Sequence, residues 1–438
     1  MLRALQPDPG ATMRVLYSAL YYSLLPLLVL RMLWRSRLAP AYRRRLPERF
    51  GWFPARRDID LPAIWVHAVS VGEVLAAGPL VEALLRDYPQ YRIVLTTTTP
   101  TGSERVRALF GDRVFHVYAP WDLPGAVRRF LRRTRPRLLL IMETELWPNM
   151  VYCSRAAGCR VVLANARLSA RSARGYARVP GLTRQLLQGL DVLACQSSTD
   201  GERFLTLGLP ATALVLTGNI KFDLALDDDL RTRAASLQRV LAAGGRPIVV
   251  AASTHAGEEE LVLAAYREVR DAVGDCLLVL VPRHPERFDA VFLLCQQRGW
   301  QVWRRSANTD PMPGDDILLA DTMGELLLLL GTATVAVFGG SLVARGGHNA
   351  LEAAAWGVPI VTGPDMENFA EIGGRLRGAG AMVQLEDPAR LGSCLLELLA
   401  DPERRQRMGA AGVQVVARNR GASARLLALV AQQLRALE

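Results

Sequence analysis

The chain opens on an apolar run and then settles into a long alternation of short and medium elements. Residues 15–30 form sixteen successive positions without a charge, bounded by Arg14 and Arg31. As a helix at 1.5 Å per residue they span about 24 Å, short of a hydrocarbon core of about 30 Å. Tyr21, Tyr22 and Pro26 within the run suit an interfacial position, and a short tilted span and a monotopic insertion are both open. From residue 62 onward, apolar runs of strand length alternate with stretches of helical period. Runs at 64–68, 92–97, 114–118, 137–142, 160–164, 192–195 and 213–217 predict strands, and 71–85 and 123–134 predict amphipathic helices between them. The series halts over 218–229 and begins again at 247–251, 276–281, 301–304, 317–320, 335–338 and 359–362. Beyond residue 388 the pattern is helical only. Strands separated by helices imply parallel sheets covered on both faces. The expected fold is therefore α/β, with two Rossmann-like halves facing a central cleft behind an N-terminal apolar membrane-anchor segment. Its expected boundaries are 1–60 for the extension, the anchor and a basic juxtamembrane region, 61–225 for the first half and 226–438 for the second.

Charge sharpens the reading of the N-terminus. Arg31, Arg35, Arg37, Arg43, Arg44, Arg45 and Arg49 follow the apolar run, against Arg3 and Arg14 before it. The positive-inside rule then keeps the bulk of the protein in the cytoplasm. No small-residue cleavage site follows, which argues against a secretory signal; a core helix with a basic exit is the remaining alternative. Residues 1–12, ahead of Met13, read as an extension. Overall the 438 residues carry 53 basic and 42 acidic side chains, a net charge of +11. Such a balance points to an anionic partner: nucleic acid, a membrane surface or a phosphorylated substrate. All the basic residues but Lys221 are arginine, a coding bias that weakens any reading as nucleic-acid binding. Half the residues are hydrophobic and 22% charged, which excludes a disordered or fibrous chain. The six cysteines form no C-x-x-C pair, and the five histidines show no local ligand spacing. No disulfide framework or metal site is expected, and the cysteines read as small buried hydrophobes. Asp227-Asp228-Asp229 reads as a solvated helix start.

In sheets of this kind ligands collect at the carboxyl ends of the strands, where the polar and glycine-containing motifs fall. Ser70-Val-Gly-Glu73 follows the first predicted strand. It is a capping box, and it is also a place for a general base at a helix N-terminus, where the dipole favours an ionised carboxylate. Glu143-Thr-Glu145-Leu-Trp-Pro-Asn149 puts two acids just past a buried strand, readable as active-site carboxylates or as caps of the helix that begins near Pro148. Gly339-Gly-Ser341 and Arg345-Gly-Gly-His-Asn349, with Glu352 one turn later, combine a flexible backbone with a helix start. Free N–H groups there can bind phosphate and Glu352 can accept from ribose hydroxyls, unless the glycines serve a tight turn alone. No G-x-x-x-x-G-K-[ST] sequence occurs, which disfavours a P-loop nucleotidase.

These motifs, taken with Thr98-Thr-Pro-Thr-Gly-Ser-Glu-Arg-Val106, Ala164-Asn-Ala-Arg-Leu-Ser-Ala-Arg171, Lys221-Phe-Asp223, Ser253-Thr-His255, Val281-Pro-Arg-His-Pro-Glu-Arg-Phe288 and Asp321-Thr-Met-Gly-Glu-Leu326, resemble the Kdo transferases of Gram-negative bacteria. The resemblance runs in order from the apolar N-terminus to the last helices. It implies a two-lobed GT-B fold and transfer of 3-deoxy-D-manno-octulosonic acid (Kdo) from CMP-Kdo to a lipid A precursor (lipid IVA-like). Inner-membrane lipid is the implied partner on the cytoplasmic side, with no metal or other cofactor and no nucleic acid. By the same resemblance Glu73 is the proton acceptor, and Glu143 and Lys221 stabilise the transition state. Pro282, Arg283, Met323, Gly324, Glu325, Asn349, Ala350, Leu351 and Glu352 would contact CMP. Three positions depart from the family pattern: Ala350 stands for a usual proline, and Asp365 and Glu367 for a usual histidine and an aromatic. The last two add negative charge to a loop expected to face the cleft. A GT-B enzyme using a UDP-sugar and a catalytically silent membrane-tethered binding protein are the alternatives.

Overall fold

The structure, a computed structural model, describes residues 9–37, 40–54, 61–224, 226–307 and 316–437. It divides into two compact units, Met1–Ile220 with Arg420–Glu438, and Lys221–Asn419. In the first unit α1 (Pro9–Arg35) precedes β1 (Ala63–His67), α2 (Val71–Asp87), β2 (Arg92–Thr97), α3 (Pro100–Phe110), β3 (Phe115–Tyr118), α4 (Pro124–Thr134) and β4 (Pro136–Met142). α5 (Pro148–Ala156), β5 (Arg160–Ala166), α6 (Ala170–Ala177), α7 (Pro180–Gln188), β6 (Val192–Cys195), α8 (Ser198–Thr206) and β7 (Leu214–Leu216) follow. Among the described residues these strands form one parallel sheet of seven in the order β3-β2-β1-β4-β5-β6-β7.

Alternate residues of each central strand enter different cores, as period-2 geometry requires. Trp65, Leu139 and Ile141 pack on one face of the sheet, and Ile64, Val66, Leu138, Leu140 and Met142 on the other. Burial on both faces explains why these strands read as continuous apolar runs.

The second unit repeats the plan with α9 (Asp228–Leu241), β8 (Ile248–Thr254), α10 (Glu258–Val273), β9 (Leu277–Pro282), α11 (Phe288–Gln297), β10 (Val302–Arg304) and β11 (Ile317–Leu319). Then come α12 (Leu326–Leu330), β12 (Val335–Phe338), α13 (Leu351–Trp356), β13 (Ile360–Thr362), α14 (Ala370–Gly378), β14 (Met382–Gln384), α15 (Leu391–Ala400) and α16 (Pro402–Asn419). Its sheet is also parallel, in the order β10-β11-β9-β8-β12-β13-β14. The expected solvated helix start at 227–229 is present: Asp227 caps α9, its Oδ1 accepting from Leu230 N at 2.8 Å. All six cysteines are buried thiols.

Two expectations need correction. The strand β14 has only three residues and sits at the sheet edge, too short for a periodic signal. The larger change concerns the expected domain 226–438. Its last helix, α17 (Ala422–Arg435), leaves the second unit and completes the first. Ala422, Leu426, Val430 and Leu434 form an i, i+4 stripe buried in the same core as Ile64 and Val66. Gly421, at φ 92°, allows the chain to turn into it. Arg425 Nε then donates to Thr217 O at 2.7 Å, and the Cβ of Ala422 lies close to Gly218. The place where the chain leaves the first unit and the place where it returns are therefore side by side. An apolar stripe in a sequence does not state which sheet it will meet, so the boundary at 226 missed this return.

Candidate active site

In a doubly wound sheet the crevice opens where the strand order reverses. In the first unit that point lies between β1 and β4, which pair directly, His67 opposite Ile141. The segments leaving these strands are those that carry Glu73 and Glu143. Ser70 caps α2, its Oγ accepting from Glu73 N at 3.3 Å. The Glu73 carboxylate turns back over the cap, accepting from Val69 N at 2.7 Å and from Ser70 Oγ at 3.2 Å. The capping reading of Glu73 therefore holds locally: it braces the turn, at the switch point of the sheet. Burial pushes its carboxyl up to about 7, against the hydrogen bond from Val69, and repulsion from Glu145 and Glu143 adds to the rise.

Glu143 takes the left-handed conformation at φ 53°, uncommon for a residue with a Cβ. Its N–H still donates to Ala164 O at 2.9 Å, and its Oε2 lies 3.1 Å from Arg167 Nε. Glu145 is fixed by Trp147, whose indole N–H donates to Oε2 at 3.0 Å; burial raises this carboxyl as well. The Trp147 ring stands edge-on to His67 at 4.8 Å between centroids. His67 is fully buried, with Nδ1 2.9 Å from Thr96 Oγ1, and burial pushes its imidazole down to about 3. It is a neutral packing group. The sequence thus brings three carboxylates together at one switch point, two of them with raised proton affinity.

Lys221 is placed by its neighbours. Ile220 is buried in the core of the first unit and Phe222 in that of the second. Ile220 N donates to Asn165 Oδ1 at 3.1 Å. Gln196 Nε2 donates to Asn165 O at 2.8 Å and Asn219 Nδ2 to Gln196 Oε1 at 2.9 Å. Asn165 is itself left-handed at φ 55° and has no exposed surface. This amide relay braces the segment that ends on Lys221, whose Nζ lies 5.9 Å from the Phe369 ring centroid. Asn165 belongs to a quoted motif, but its bracing role was not legible there.

In the second unit the order reverses between β8 and β12. Glu258, fully buried in the first turn of α10, ties the two strand ends together. Its carboxylate accepts from His255 N at 2.9 Å, Gly340 N at 2.7 Å, Leu342 N at 2.9 Å and Val343 N at 3.3 Å. A Cβ on Gly339 would stand 2.5 Å from Ser253 O, so only glycine permits this approach. Neighbouring Glu259 accepts from Thr254 Oγ1 at 2.9 Å and from both terminal nitrogens of Arg287. Sequence reasoning missed both acids, which look like ordinary first-turn carboxylates.

Arg283, just past Pro282 at the end of β9, donates its N–H to Thr254 O at 3.0 Å. Its charge acts on His255, His348 and Glu352. His255 and His348 stack at 5.1 Å with Nε2 atoms 2.8 Å apart, and His284 lies 5.3 Å from His255. Burial pushes His348 down to about 4 and lowers His255, so the positive charge here belongs to arginine. Burial raises Glu352 to about 7.

Ala350 and Leu351 have no exposed surface and offer backbone alone, and Asn349 Oδ1 already accepts from Leu351 N at 3.2 Å. Met323 is 62% exposed, Gly324 is left-handed, and Glu325 pairs with Arg305 at 3.0 Å. The 323–325 and 349–352 segments lead into α12 and α13, which pack together through Trp356 Nε1 donating to Leu327 O at 2.8 Å. Asp365, one of the departures, accepts from Gly346 N at 2.6 Å and so clamps the glycine loop, while Glu367 is exposed.

Residues 44–224 match the family described as 3-Deoxy-D-manno-octulosonic-acid transferase (kdotransferase). The 3-deoxy-D-manno-octulosonic acid transferase of Haemophilus influenzae is 43% identical over 95% of this chain and 98% of its own length. The chain belongs to the Kdo transferase family. The Bordetella pertussis Kdo transferase is 40% identical over 94% of this chain and 98% of its own length. Kdo transferases are glycosyltransferases, and the protein is an enzyme of that class. At the level of fold it is similar to a glycosyltransferase from Rickettsia africae, with a TM-score of 0.56 and 9% identity over 85% of this chain and 99% of that one. The two parallel sheets and these neighbours make the fold GT-B in type, as the motifs of a Kdo transferase implied.

Proposed function

We propose that the protein is an inverting transferase that moves Kdo from CMP-Kdo to a lipid A precursor at the cytoplasmic face of the inner membrane. The observation that carries this reading is the buried Glu73 carboxyl at the β1/β4 switch point, with a proton affinity near neutrality. A base with that affinity takes a proton at working pH and is still basic enough to pull it from an acceptor hydroxyl. As the proton leaves for Glu73, the hydroxyl oxygen bonds to the anomeric carbon of Kdo and the bond from that carbon to the CMP oxygen breaks. Negative charge then collects on the departing monophosphate. Lys221 supplies a compact cation for it, and Glu143 balances positive charge developing on the sugar. On the donor side Arg283 supplies positive charge, Glu352 accepts from ribose hydroxyls, and Pro282, 323–325 and 349–351 shape the nucleotide seat. A leaving monophosphate carries no diphosphate for a metal to bridge.

The seat on the membrane follows from α1. Arg14, Tyr17, Ser18, Tyr21, Leu25, Leu28, Val29 and Met32 form a stripe turned toward the protein, while Val15, Leu16, Leu20, Leu24, Leu27, Leu30 and Leu33 are exposed. α1 is long and apolar enough to cross a membrane, and one long face on its own domain with the other apolar face open supports a seat in the interface. The decisive experiment incubates the enzyme with CMP-Kdo and a lipid A precursor and weighs the lipid. Mass gain by whole Kdo residues with matching CMP release is expected. No gain, or transfer from a UDP-sugar with UDP release, overturns the proposal.

A further inference from the structure

α1 grips the first turn of α5, and that turn ends the segment carrying Glu143 and Glu145. Ser18, 8% exposed, donates its hydroxyl to Arg14 O at 2.8 Å and accepts from Asn149 Nδ2 at 3.1 Å. Asn149 has no exposed surface, and the same amide donates to Asp122 O at 2.7 Å. The Asp122 carboxylate, 2% exposed, accepts from Asn149 N at 3.0 Å and Met150 N at 2.7 Å and is hydrogen-bonded to Tyr17. One turn further along α5, the Arg14 guanidinium lies 3.4 Å from the Tyr152 ring centroid. The Glu143–Trp147 segment is thus held at one end by the β5 backbone and at the other by Asn149, whose amide is shared between the α4 approach and α1. Between these ends Leu146 is buried in the core, Trp147 holds Glu145, and Thr144 and Glu143 contact Arg167.

We propose that Ser18 and Asn149 are positioning residues that couple the seating of α1 on the protein to the placement of Glu143 and Glu145 at the active site. The inference rests on the reading of that site as the transfer centre. The membrane helix then acts on turnover as well as on location. A helix drawn away from α5 takes the Ser18 partner from one N–H of the Asn149 amide in a dry environment, leaving the bond to Asp122 O alone, a cost that shifts the segment before it.

The test uses the full chain with Ser18→Ala and Ser18→Thr, the latter keeping the hydroxyl. Hydrogen–deuterium exchange is read over residues 143–150, and transfer is read at saturating acceptor in vesicles. In Ser18→Ala, exchange over 143–150 should rise about three- to tenfold, the span of one neutral hydrogen bond. kcat should fall by a similar factor while KM for the donor and the vesicle-bound fraction stay at wild type, and Ser18→Thr should restore both readouts. Unchanged exchange over 143–150 in Ser18→Ala overturns the coupling, and so does unchanged kcat. If the wild-type protein transfers no Kdo, the functional reading fails, and the exchange comparison still decides whether α1 holds this segment.

Discussion

Glu73 meets two demands that oppose each other. Its carboxylate braces the turn between β1 and α2, yet burial and two neighbouring acids disfavour its charge. A carboxyl raised from 4.5 to about 7 in the folded state costs stability as pH rises through that window, because the folded protein holds a proton that the unfolded chain has released. Glu73→Gln keeps an acceptor for Val69 N–H and removes the ionisation. It should therefore lose about 10²–10⁴-fold in turnover while its melting temperature rises above wild type on going from pH 4.5 to pH 8. The gain is a few kcal/mol at most. Wild-type kcat/KM should climb with pH to a plateau above about 7. Paired thermal melts and pH–rate profiles check all three outcomes. At Lys221 the expectation is that Lys221→Arg, which keeps the charge but broadens it into a planar fork, cuts kcat at least tenfold with an unchanged melting temperature; steady-state rates decide. The positions of these residues at strand ends were legible from apolar runs and turn residues. The raised affinity of Glu73 was not, because it depends on burial. Nor were Glu258 and Asn165, whose work lies in hydrogen bonds to backbone far away in sequence.

Among the elements, the strands were read almost to the residue because each is a buried run of β-branched and aliphatic side chains between turns. β14, at three residues, escaped the pattern, whereas the start of the six-residue α13 was marked by the glycine loop before it. α1 shows how an element can be found and still be misjudged. The uncharged stretch 15–30 marked it, but the helix continues from Pro9 to Arg35, since helical hydrogen bonds do not stop where charge begins. Leu16, Leu20 and Leu27 are 63%, 57% and 61% exposed on it. Each leucine moved into lipid contributes about 1.5–3 kcal/mol. Replacing all three by Gln should weaken vesicle binding by at least 100-fold and leave the melting temperature within about 3 °C, since none of them is buried against the protein. Co-sedimentation with vesicles at high salt measures the first and calorimetry the second.

At the scale of the whole molecule, the first unit is built from two stretches of chain separated by the entire second unit. A fragment of residues 1–220 lacks the stripe of α17 and should bind a hydrophobic dye and lose its cooperative melt. Joining residue 220 to residue 420 through a short Gly/Ser linker should restore the melt, because the chain leaves and returns at adjacent points, Gly218 beside Ala422. Circular dichroism melts of the two proteins make the comparison. The same arrangement sets a timetable for synthesis. The exposed leucines of α1 leave the ribosome first and can reach a bilayer early. The sheet they belong to must then wait for roughly 200 further residues, which at 5–20 residues per second is about 10–40 s. During that interval the part of the sheet face beside α2 and α3 that Ala422, Leu426, Val430 and Leu434 will cover stands open, a period in which chaperones rather than the finished fold must keep it from its neighbours.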